Sequence, residues 1–447
     1  MVKTGIRTRV HGTMAAMCFL WAVILSAALV ESDAYRYAML LLAALGSAAF
    51  RRELAFVRVN WLAWLCMGWG LYAFTRFVWL LAMTPLHDKG SSEWLYVFPM
   101  FFPILGVALY QVRHRLAETI SIFFIVTLMC LLVTTQYRTI ITGVNVTPLL
   151  HKNQIHGAVA CGFLTIGAFY WLMYWISRGI NASWMGKVAC AISPLIQILC
   201  LFNIFGSKSK GVWLAMALAI PLIAISAMTH IRVSRRVGVA LAGGFVAVMV
   251  IGVSVSRDNM WHTAGPTAVS AIDIVEDIAT GEAVGQRLTE AIRSPDVPFS
   301  MNARLQIWSN AWELFSAAPW VGHGNSWIRL WDQTQYASVG FTLMHNAYLE
   351  ILVRHGLFGL VVFDIILIGF LNQVRACYRR GLISRSAWTC YWISIFYFLV
   401  TIGSNSNNRL AIGEAFFVLT GAFAFFCAIK MQTAQQPSQT AEPTLVN

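Results

Sequence analysis

Long apolar segments separated by short polar loops recur along most of the chain. We predict twelve such segments, most of them about 17 to 22 residues long, which is enough to cross roughly 30 Å of hydrocarbon as a helix. They cover residues 13–30, 35–50, 61–83, 95–111, 117–135, 155–176, 187–205, 212–229, 238–256, 347–372, 387–403 and 411–429. The pattern therefore predicts an all-α polytopic membrane protein with about 12 transmembrane helices.

One long hydrophilic segment interrupts this pattern and divides the chain. Residues 1–256 hold transmembrane helices 1–9, residues 257–345 form a loop domain, residues 346–430 hold transmembrane helices 10–12, and residues 431–447 form a polar tail that we expect to be disordered. Residues 301–318 have helical periodicity, with Trp308, Ala311, Trp312 and Phe315 on one face, and Pro319 ends the helix. The loop is therefore expected to contain amphipathic helices that lie on the membrane surface or pack over the ends of the spans, or that only cap the bundle without chemistry.

Composition and charge agree with a membrane protein. Of the 447 residues 58% are hydrophobic and 11% are charged, which is too little charge to cover the surface of a soluble fold. Basic residues concentrate before the first segment and in alternate loops, so we assign those loops and both termini to the cytoplasm and the 257–345 loop to the outer side of the membrane. The net charge of +13 is explained by this topology and by contact with anionic membrane lipids, so no nucleic-acid partner is predicted.

Several cations break the topology rule, because they fall in loops assigned to the outside. They are Arg138, Lys152, Lys208, Lys210 and Arg409. Short outer loops usually avoid Lys and Arg. If these side chains converge near one cavity they form an anion site, whereas any one of them alone is more typical of an exposed residue or a lipid-headgroup contact.

His345 and Arg304 are the sharpest candidates for chemistry. His345 lies where the long loop re-enters the membrane, and an imidazole accepts a proton near neutral pH, as activation of a hydroxyl requires. The alternative is a simple interfacial hydrogen bond. Arg304 begins the helix of the loop, and its planar guanidinium suits phosphate oxygens or, alternatively, anionic headgroups. Glu350 and Arg354 have i, i+4 spacing, so they are expected to pair, or Glu350 orients another side chain.

Other titratable residues offer weaker alternatives. Asp273 and Asp277 share a helix face, which leaves a metal site open, although acidic surface helices often have this spacing. Arg76 and Asp364 lie inside predicted spans, where ionisable groups are costly and often functional. The alternatives are that Arg76 snorkels to the outer surface or faces a phosphate cavity, and that Asp364 pairs with Arg76 or handles protons. The nine cysteines lie in or beside spans and show neither a disulfide framework nor a zinc spacing.

The chain resembles the O-antigen ligase and O-antigen polymerase superfamily of bacterial envelope enzymes. The resemblance rests on the topology and on the patterns Arg304-x-x-x-Trp308, Pro319-x-x-Gly322-x-Gly324 and His345-Asn346-x-Tyr348-Leu349, followed by Gly356 and Gly359. Asn153, which follows Arg138 and opens a span, resembles another family position. Relatives commonly carry an arginine in the outer loop before the eighth span, where this chain has Lys208 and Lys210.

The resemblance implies a glycosyltransferase in the bacterial inner membrane that works at its periplasmic face without a metal or other cofactor. It would move a glycan from a polyprenyl-pyrophosphate donor to a sugar hydroxyl of a lipid A–core acceptor. His345 would be the catalytic base or position the acceptor. Donor binding is assigned to Arg304, Lys210, Lys208, Arg138 and Arg76, with support from Asn153, Asn346, Tyr348, Glu350 and Arg409. An O-antigen polymerase, a protein O-oligosaccharyltransferase, and a transporter or flippase of another class remain alternatives.

Overall fold

The structure, a computed structural model, describes residues 2–49, 58–83, 93–230, 297–340 and 342–435, together with positions 55, 289, 290 and 292. Within these residues the regular secondary structure is helical, apart from a single bridge between Val30 and Leu150. In chain order the helices are α1 (Val2–Ser26), α2 (Ala34–Ala49), α3 (Trp61–Met83), α4 (Trp94–Gln111), α5 (Leu116–Thr134), α6 (Tyr137–Ile141), α7 (Gln154–Arg178), α8 (Trp184–Gly206), α9 (Lys210–His230), α10 (Phe299–Ala317), α11 (Trp327–Trp331), α12 (Ala347–Arg379), α13 (Arg385–Ser404) and α14 (Ala411–Gln435).

Nine of the described helices are long and apolar enough to cross a membrane, namely α3, α4, α5, α7, α8, α9, α12, α13 and α14. The all-α class and the multi-pass membrane character are thus confirmed. The described residues do not confirm the count of about twelve: the apolar part of α1 covers only Gly12–Ser26, and α2 has 16 residues. The predicted span at 238–256 lies outside the described residues.

The helices pack into two apolar cores that share α13. One core is formed by α1 to α4 with α12 and α14, and the other by α5, α7, α8 and α9. Tyr397 of α13 is fully buried in the second core, and its hydroxyl donates to the carbonyl oxygen of Val159 at 3.2 Å. Gly162 leaves the room for this ring, since a Cβ there would lie 2.0 Å from the Tyr397 hydroxyl. Small residues of this kind let membrane helices approach closely.

The helix predicted at 301–318 is observed as α10, which begins at Phe299 and ends two residues before Pro319. Its buried face carries Ile307, Ala311 and Leu314, which pack with Trp327, Trp331 and Val353. Trp312 was expected on the same face but is 57% exposed. The expected face was therefore partly wrong, because α10 packs against α11 and α12 through a stripe rotated away from Trp312.

The C-terminal boundary also differs from the expectation. Helix α14 continues to Gln435, so the first five residues of the tail predicted to be disordered, 431–435, are helical. Apolar side chains persist up to Met431, which packs against the first core and extends the helix beyond the predicted span. Residues 436–447 lie outside the described residues.

Candidate functional site

A cavity of about 590 Å³ lies where the first turns of α7 and α9 meet α10 and the end of α13. Its lining consists of Gln154, Ile155, Lys208, Ser209, Lys210, Gly211, Met301, Arg304 and Asn405. Three of these residues are cationic and none is acidic. The cavity is therefore suited to hold a negatively charged group.

Helix geometry adds to the positive character of this cavity. Gln154 and Lys210 are the first residues of α7 and α9, and both line it. The first turn of a helix has backbone N–H groups without helical partners and carries the positive end of the helix dipole. Two helix N-termini that face one space form an anion site even before side-chain charges are counted.

Arg304 contributes a half-buried guanidinium from α10. Burial lowers its pKa, but a guanidinium stays protonated in proteins. Among the described residues, neither Arg304 nor Lys208 forms an ion pair with a carboxylate. Within the described part of the chain, no carboxylate neutralises the positive charge of Arg304.

Hydrogen bonds fix the backbone of the loop between α8 and α9, which carries Lys208 and leads into Lys210. The indole N–H of Trp213 donates to the carbonyl oxygen of Ile204 at 2.9 Å, and the Ser207 hydroxyl donates to the same carbonyl at 2.7 Å. Lys208 has φ +50°, a left-handed conformation that costs energy in a residue with a side chain. Gly211 allows the loop after α13 to approach, since a Cβ there would lie 2.1 Å from the Ser404 hydroxyl.

His345 does not line this cavity, but the residue before it, Met344, accepts a hydrogen bond from Trp308 of α10. His345 is half-buried and, like Lys208, adopts a left-handed conformation, with φ +51°. Burial lowers its pKa, and the positive charge of Arg304 lowers it further. The imidazole is therefore neutral at neutral pH, which is the form that accepts a proton.

The residues that follow His345 fix the start of α12. Asn346 is the N-cap, and its side-chain oxygen accepts from the backbone N–H groups of Tyr348 and Leu349 at 3.0 and 3.3 Å. The Tyr348 hydroxyl donates to the carbonyl oxygen of Leu399 in α13 at 3.0 Å. In the structure Asn346 and Tyr348 thus hold the backbone beside His345 in place.

Glu350 is the centre of a buried ionic network. Its Oε1 accepts from Nε of Arg354 at 3.2 Å, which confirms the i, i+4 pair, and from Nε of Arg409 at 3.0 Å. Arg354 also bonds to Glu93 and to Asn325. Because Arg409 is committed to Glu350, it ties the loop after α13 to the first turn of α12.

Arg76 contacts the backbone of the loop after α10 and does not line the cavity. Its guanidinium donates to the carbonyl oxygens of Val321 and Gly322, the latter at 2.7 Å, and to the Tyr72 hydroxyl at 2.9 Å. Protein acceptors take three of its five N–H donors, so in this structure Arg76 supports the 319–324 turn, and its role in donor binding stays a prediction.

Helix α12 has a kink, and the Pro319-x-x-Gly322-x-Gly324 turn, which Arg76 contacts, packs against that kink. At Gly356 the helix has φ +64° and ψ −163°. The N–H groups of Leu357 and Phe358, which lose their helical partners there, donate to the carbonyl oxygens of Pro319 and Trp320 at 2.8 and 3.0 Å. The motif therefore satisfies the backbone at a kink.

Three further predicted residues lie outside the lining of the cavity. Arg138 is exposed on α6 and does not line the cavity, which fits the alternative of an exposed residue or a headgroup contact; its role in donor binding stays a prediction. Asn153 is the N-cap of α7, with its side-chain oxygen accepting from the N–H of Ile155 at 2.8 Å. Asp364 is exposed on α12.

The metal alternative rests on two carboxylates of the long loop. Asp273 and Asp277 lie outside the described residues. Within the described ranges no group of three or more His, Cys, Asp or Glu side chains is placed to hold a metal ion.

Sequence reasoning missed two contributions to the site. The first is that Gln154 and Asn405 line the cavity, although the sequence did not single out either residue. The second is that the indole N–H of Trp308 donates to the carbonyl oxygen of Met344 at 2.9 Å, which links α10 to the residue before His345. The Arg304-x-x-x-Trp308 spacing was visible in the sequence, but the partner of Trp308 lies 36 residues away.

Comparison with known proteins agrees with this geometry. Residues 195–363 match the model of a family described as O-antigen ligase. The matched segment includes Lys208, Lys210, Arg304 and His345. A search of curated proteins found no match. Over this segment the chain is therefore similar to the O-antigen ligase family, and its long apolar helices are those of a multi-pass membrane protein.

Proposed function

We propose that this protein is an O-antigen ligase of lipopolysaccharide biosynthesis. It transfers a glycan from a polyprenyl-pyrophosphate donor to a sugar hydroxyl of lipid A–core, at the periplasmic face of the bacterial inner membrane. One observation carries the proposal: Arg304, Lys208 and Lys210 line a single cavity with two helix N-termini, and His345 lies within the influence of the Arg304 charge.

The cavity suits a diphosphate because its charge is fixed before the reaction. As the bond between the anomeric carbon and the phosphate oxygen breaks, the electron pair leaves on the diphosphate. Preorganised cations and backbone N–H groups stabilise this developing charge without having to reorient. The guanidinium of Arg304 offers two parallel donors, whereas Lys208 and Lys210 act as point charges.

His345 suits the acceptor side of the same reaction. Its neutral imidazole takes the proton of the acceptor hydroxyl while the oxygen forms its bond to the anomeric carbon. The proton is then released to the departing diphosphate or to water, so the residue returns to its starting form. The N-cap of Asn346 and the Trp308 contact to Met344 hold the backbone on both sides of His345.

The orientation of the helices supports a periplasmic site. Helices α7 and α12 begin near the cavity and end at Arg178 and Arg379, and α13 begins at Arg385 and returns to the cavity. Basic residues thus mark the end of the bundle opposite the cavity, which by the positive-inside rule is cytoplasmic. A lipid-linked donor in the outer leaflet reaches the cavity from the membrane side.

We further propose that the reaction needs no bound metal, because the cavity itself supplies the charge that a divalent ion would provide. Transfer should then persist after treatment with EDTA. Loss of transfer with EDTA and its recovery on adding a divalent ion would contradict this part of the proposal.

The test is transfer by the purified protein with a defined lipid-linked glycan and two competing acceptors, lipid A–core and a second lipid-linked glycan. We expect the protein to transfer the glycan to lipid A–core rather than to the second lipid-linked glycan. His345→Asn should abolish transfer while leaving the protein folded, because asparagine tolerates a positive φ and lacks a base. Elongation of the lipid-linked glycan would indicate a polymerase instead, and full transfer by His345→Asn would remove the catalytic role of His345.

A further inference from the structure

We propose that buried polar groups of the loop between α13 and α14, together with Glu350, form a subsite for the sugar ring joined directly to the donor diphosphate. The inference rests on the proposed function, because it assumes that the diphosphate occupies the cavity at Arg304. It adds a neutral, hydroxyl-binding region to the cationic one and assigns it to Asn407, Asn408 and Glu350, with Ser406 beside them.

The first observation is a concentration of buried polar atoms that lack hydrogen-bond partners. Asn407 is fully buried, and Ser406 and Asn408 are 4% and 5% exposed. Within the described structure both amide atoms of Asn407 and of Asn408, the Ser406 hydroxyl and the Oε2 of Glu350 have no partner. Buried polar groups are normally paired, since leaving them unpaired is unfavourable. Six such atoms in one region indicate that something else supplies their partners.

The second observation is that this region adjoins the cavity. Asn405, the residue before the group, lines the cavity together with Lys210 and Arg304. Arg409, at the other end of the loop, bonds through its Nε to Oε1 of Glu350 at 3.0 Å. The loop therefore runs from the cationic cavity to the first turn of α12, which begins directly after His345 and Asn346.

The loop is also held rigidly, as a binding element must be. A Cβ at Gly413, in the first turn of α14, would lie 1.9 Å from the carbonyl oxygen of Asn407, so only glycine allows the loop to press against this helix. The ion pair of Arg409 with Glu350 fixes the other end. The amide groups are consequently positioned in advance and are not free to turn away toward water.

The chemistry of these groups matches a sugar and differs from that of the cavity. Each asparagine amide offers two N–H donors and an oxygen acceptor, and Oε2 of Glu350 is a further acceptor. Ring hydroxyls both donate and accept, so they satisfy such a set, while a phosphate cannot donate to the carboxylate. The first sugar of the donor is joined directly to the diphosphate, and Asn405, where the loop of unpartnered polar groups begins, lines the same cavity as Arg304.

The test compares binding of two lipids by the purified protein: polyprenyl pyrophosphate without sugar, and the same lipid carrying one sugar. The variants are Asn407→Leu and Asn408→Leu, which keep the side-chain volume and remove the amide. Ser406→Ala is a milder variant in case either leucine disturbs folding. Thermal unfolding without ligand is measured for each. The matched control is Asn203→Leu, because Asn203 is equally buried but donates to Thr135 and Leu199 at 2.8 and 2.9 Å.

We expect the two loop variants to unfold at an unchanged or higher temperature, since they remove atoms that have no partner within the protein. Their affinity for the sugar-free lipid should stay the same, and their affinity for the sugar-bearing lipid should fall about tenfold per variant. Asn203→Leu should show the reverse pattern, with a lower unfolding temperature and both affinities unchanged.

Three results would overturn the inference. Unchanged affinity for the sugar-bearing lipid would mean that the groups do not touch the sugar. An equal loss for both lipids would place them at the diphosphate. A marked drop in unfolding temperature without ligand would mean that buried water satisfies them for structural reasons. Failure of the unaltered protein to bind the sugar-free lipid is a different result, which would contradict the proposed function itself.

Discussion

The indole N–H of Trp308 donates a hydrogen bond to the carbonyl oxygen of Met344, and the two atoms are 2.9 Å apart. Trp308 lies one helical turn after Arg304 on α10, and Met344 immediately precedes His345. A single hydrogen bond thus connects the helix that carries the cation to the backbone that carries the imidazole. The relative position of Arg304 and His345 is expected to depend on it.

Replacement of Trp308 by Phe tests this connection. The variant keeps most of the packing and loses the N–H, at a cost of about 1 kcal/mol for one hydrogen bond. We expect turnover to fall about fivefold, while the KM for the donor stays within twofold, because Arg304 still lines the cavity. Trp312→Phe is the control on the same helix, since Trp312 is exposed, and it should behave like the unaltered protein. Equal effects from both variants would contradict the positioning role.

The pH dependence of transfer should report the imidazole of His345. Its pKa is lowered by burial and by the charge of Arg304. Catalysis needs the neutral form, whose fraction falls as the pH drops through this pKa. Because the pKa is below its ordinary value of about 6.5, activity should persist below that pH before it declines. The measurement is kcat/KM for the donor across the acid range.

Removing the neighbouring charge should shift this decline in a known direction. In Arg304→Gln the positive charge is lost while burial remains, so the pKa of His345 rises and the acid limb moves to higher pH. The profile is normalised to its own maximum, which separates the shift from weaker donor binding. An acid limb that does not move would show that Arg304 and His345 are not electrostatically linked.

The variant Arg304→Lys tests whether the two parallel N–H donors of the guanidinium matter in addition to its positive charge. Lysine keeps a positive charge but cannot donate two parallel hydrogen bonds to one phosphate. We expect the KM for the donor to rise roughly tenfold. Arg138→Gln is the matched comparison, because Arg138 is exposed and does not line the cavity, and its KM should not change. If Arg138→Gln weakens donor use and Arg304→Lys does not, the diphosphate lies elsewhere.

Arg76→Leu should affect stability rather than donor binding. The change removes charge-assisted hydrogen bonds to the carbonyl oxygens of Val321 and Gly322, each contributing about 1.5–3 kcal/mol. We expect the unfolding temperature to fall by several degrees and amide exchange in residues 319–324 to quicken, with the KM for the donor unchanged. Arg329→Leu, on the exposed side of α11, is the control. A raised KM at normal stability would restore Arg76 to the binding site.

Local patterns in the sequence predicted what depends on local geometry. Hydropathy predicted the positions of the long helices, since a membrane-spanning helix must be apolar over its whole length. The Glu350 and Arg354 pair followed from the helical repeat of 3.6 residues, and the structure confirms it. The end of α10 before Pro319 followed from the missing N–H of proline.

The same local patterns could not predict contacts between residues that are far apart in the sequence. Arg76 and Arg138 carry the same charge as Arg304, and nothing local distinguishes a guanidinium committed to carbonyl oxygens from one that faces a cavity. The partner of Arg354 in Glu93 lies 261 residues away along the chain. The exposure of Trp312 depends on how α10 rotates against α11 and α12, which its own periodicity does not set.

The most direct measurement is an experimental structure of the protein with polyprenyl pyrophosphate bound. We predict diphosphate density in the cavity, within hydrogen-bond distance of the Arg304 guanidinium and of an ammonium group of Lys208 or Lys210, with the His345 imidazole facing the position of the anomeric carbon. Density beside Arg138 or in lipid away from all three cations, or an imidazole turned away from the bound diphosphate, would contradict the account.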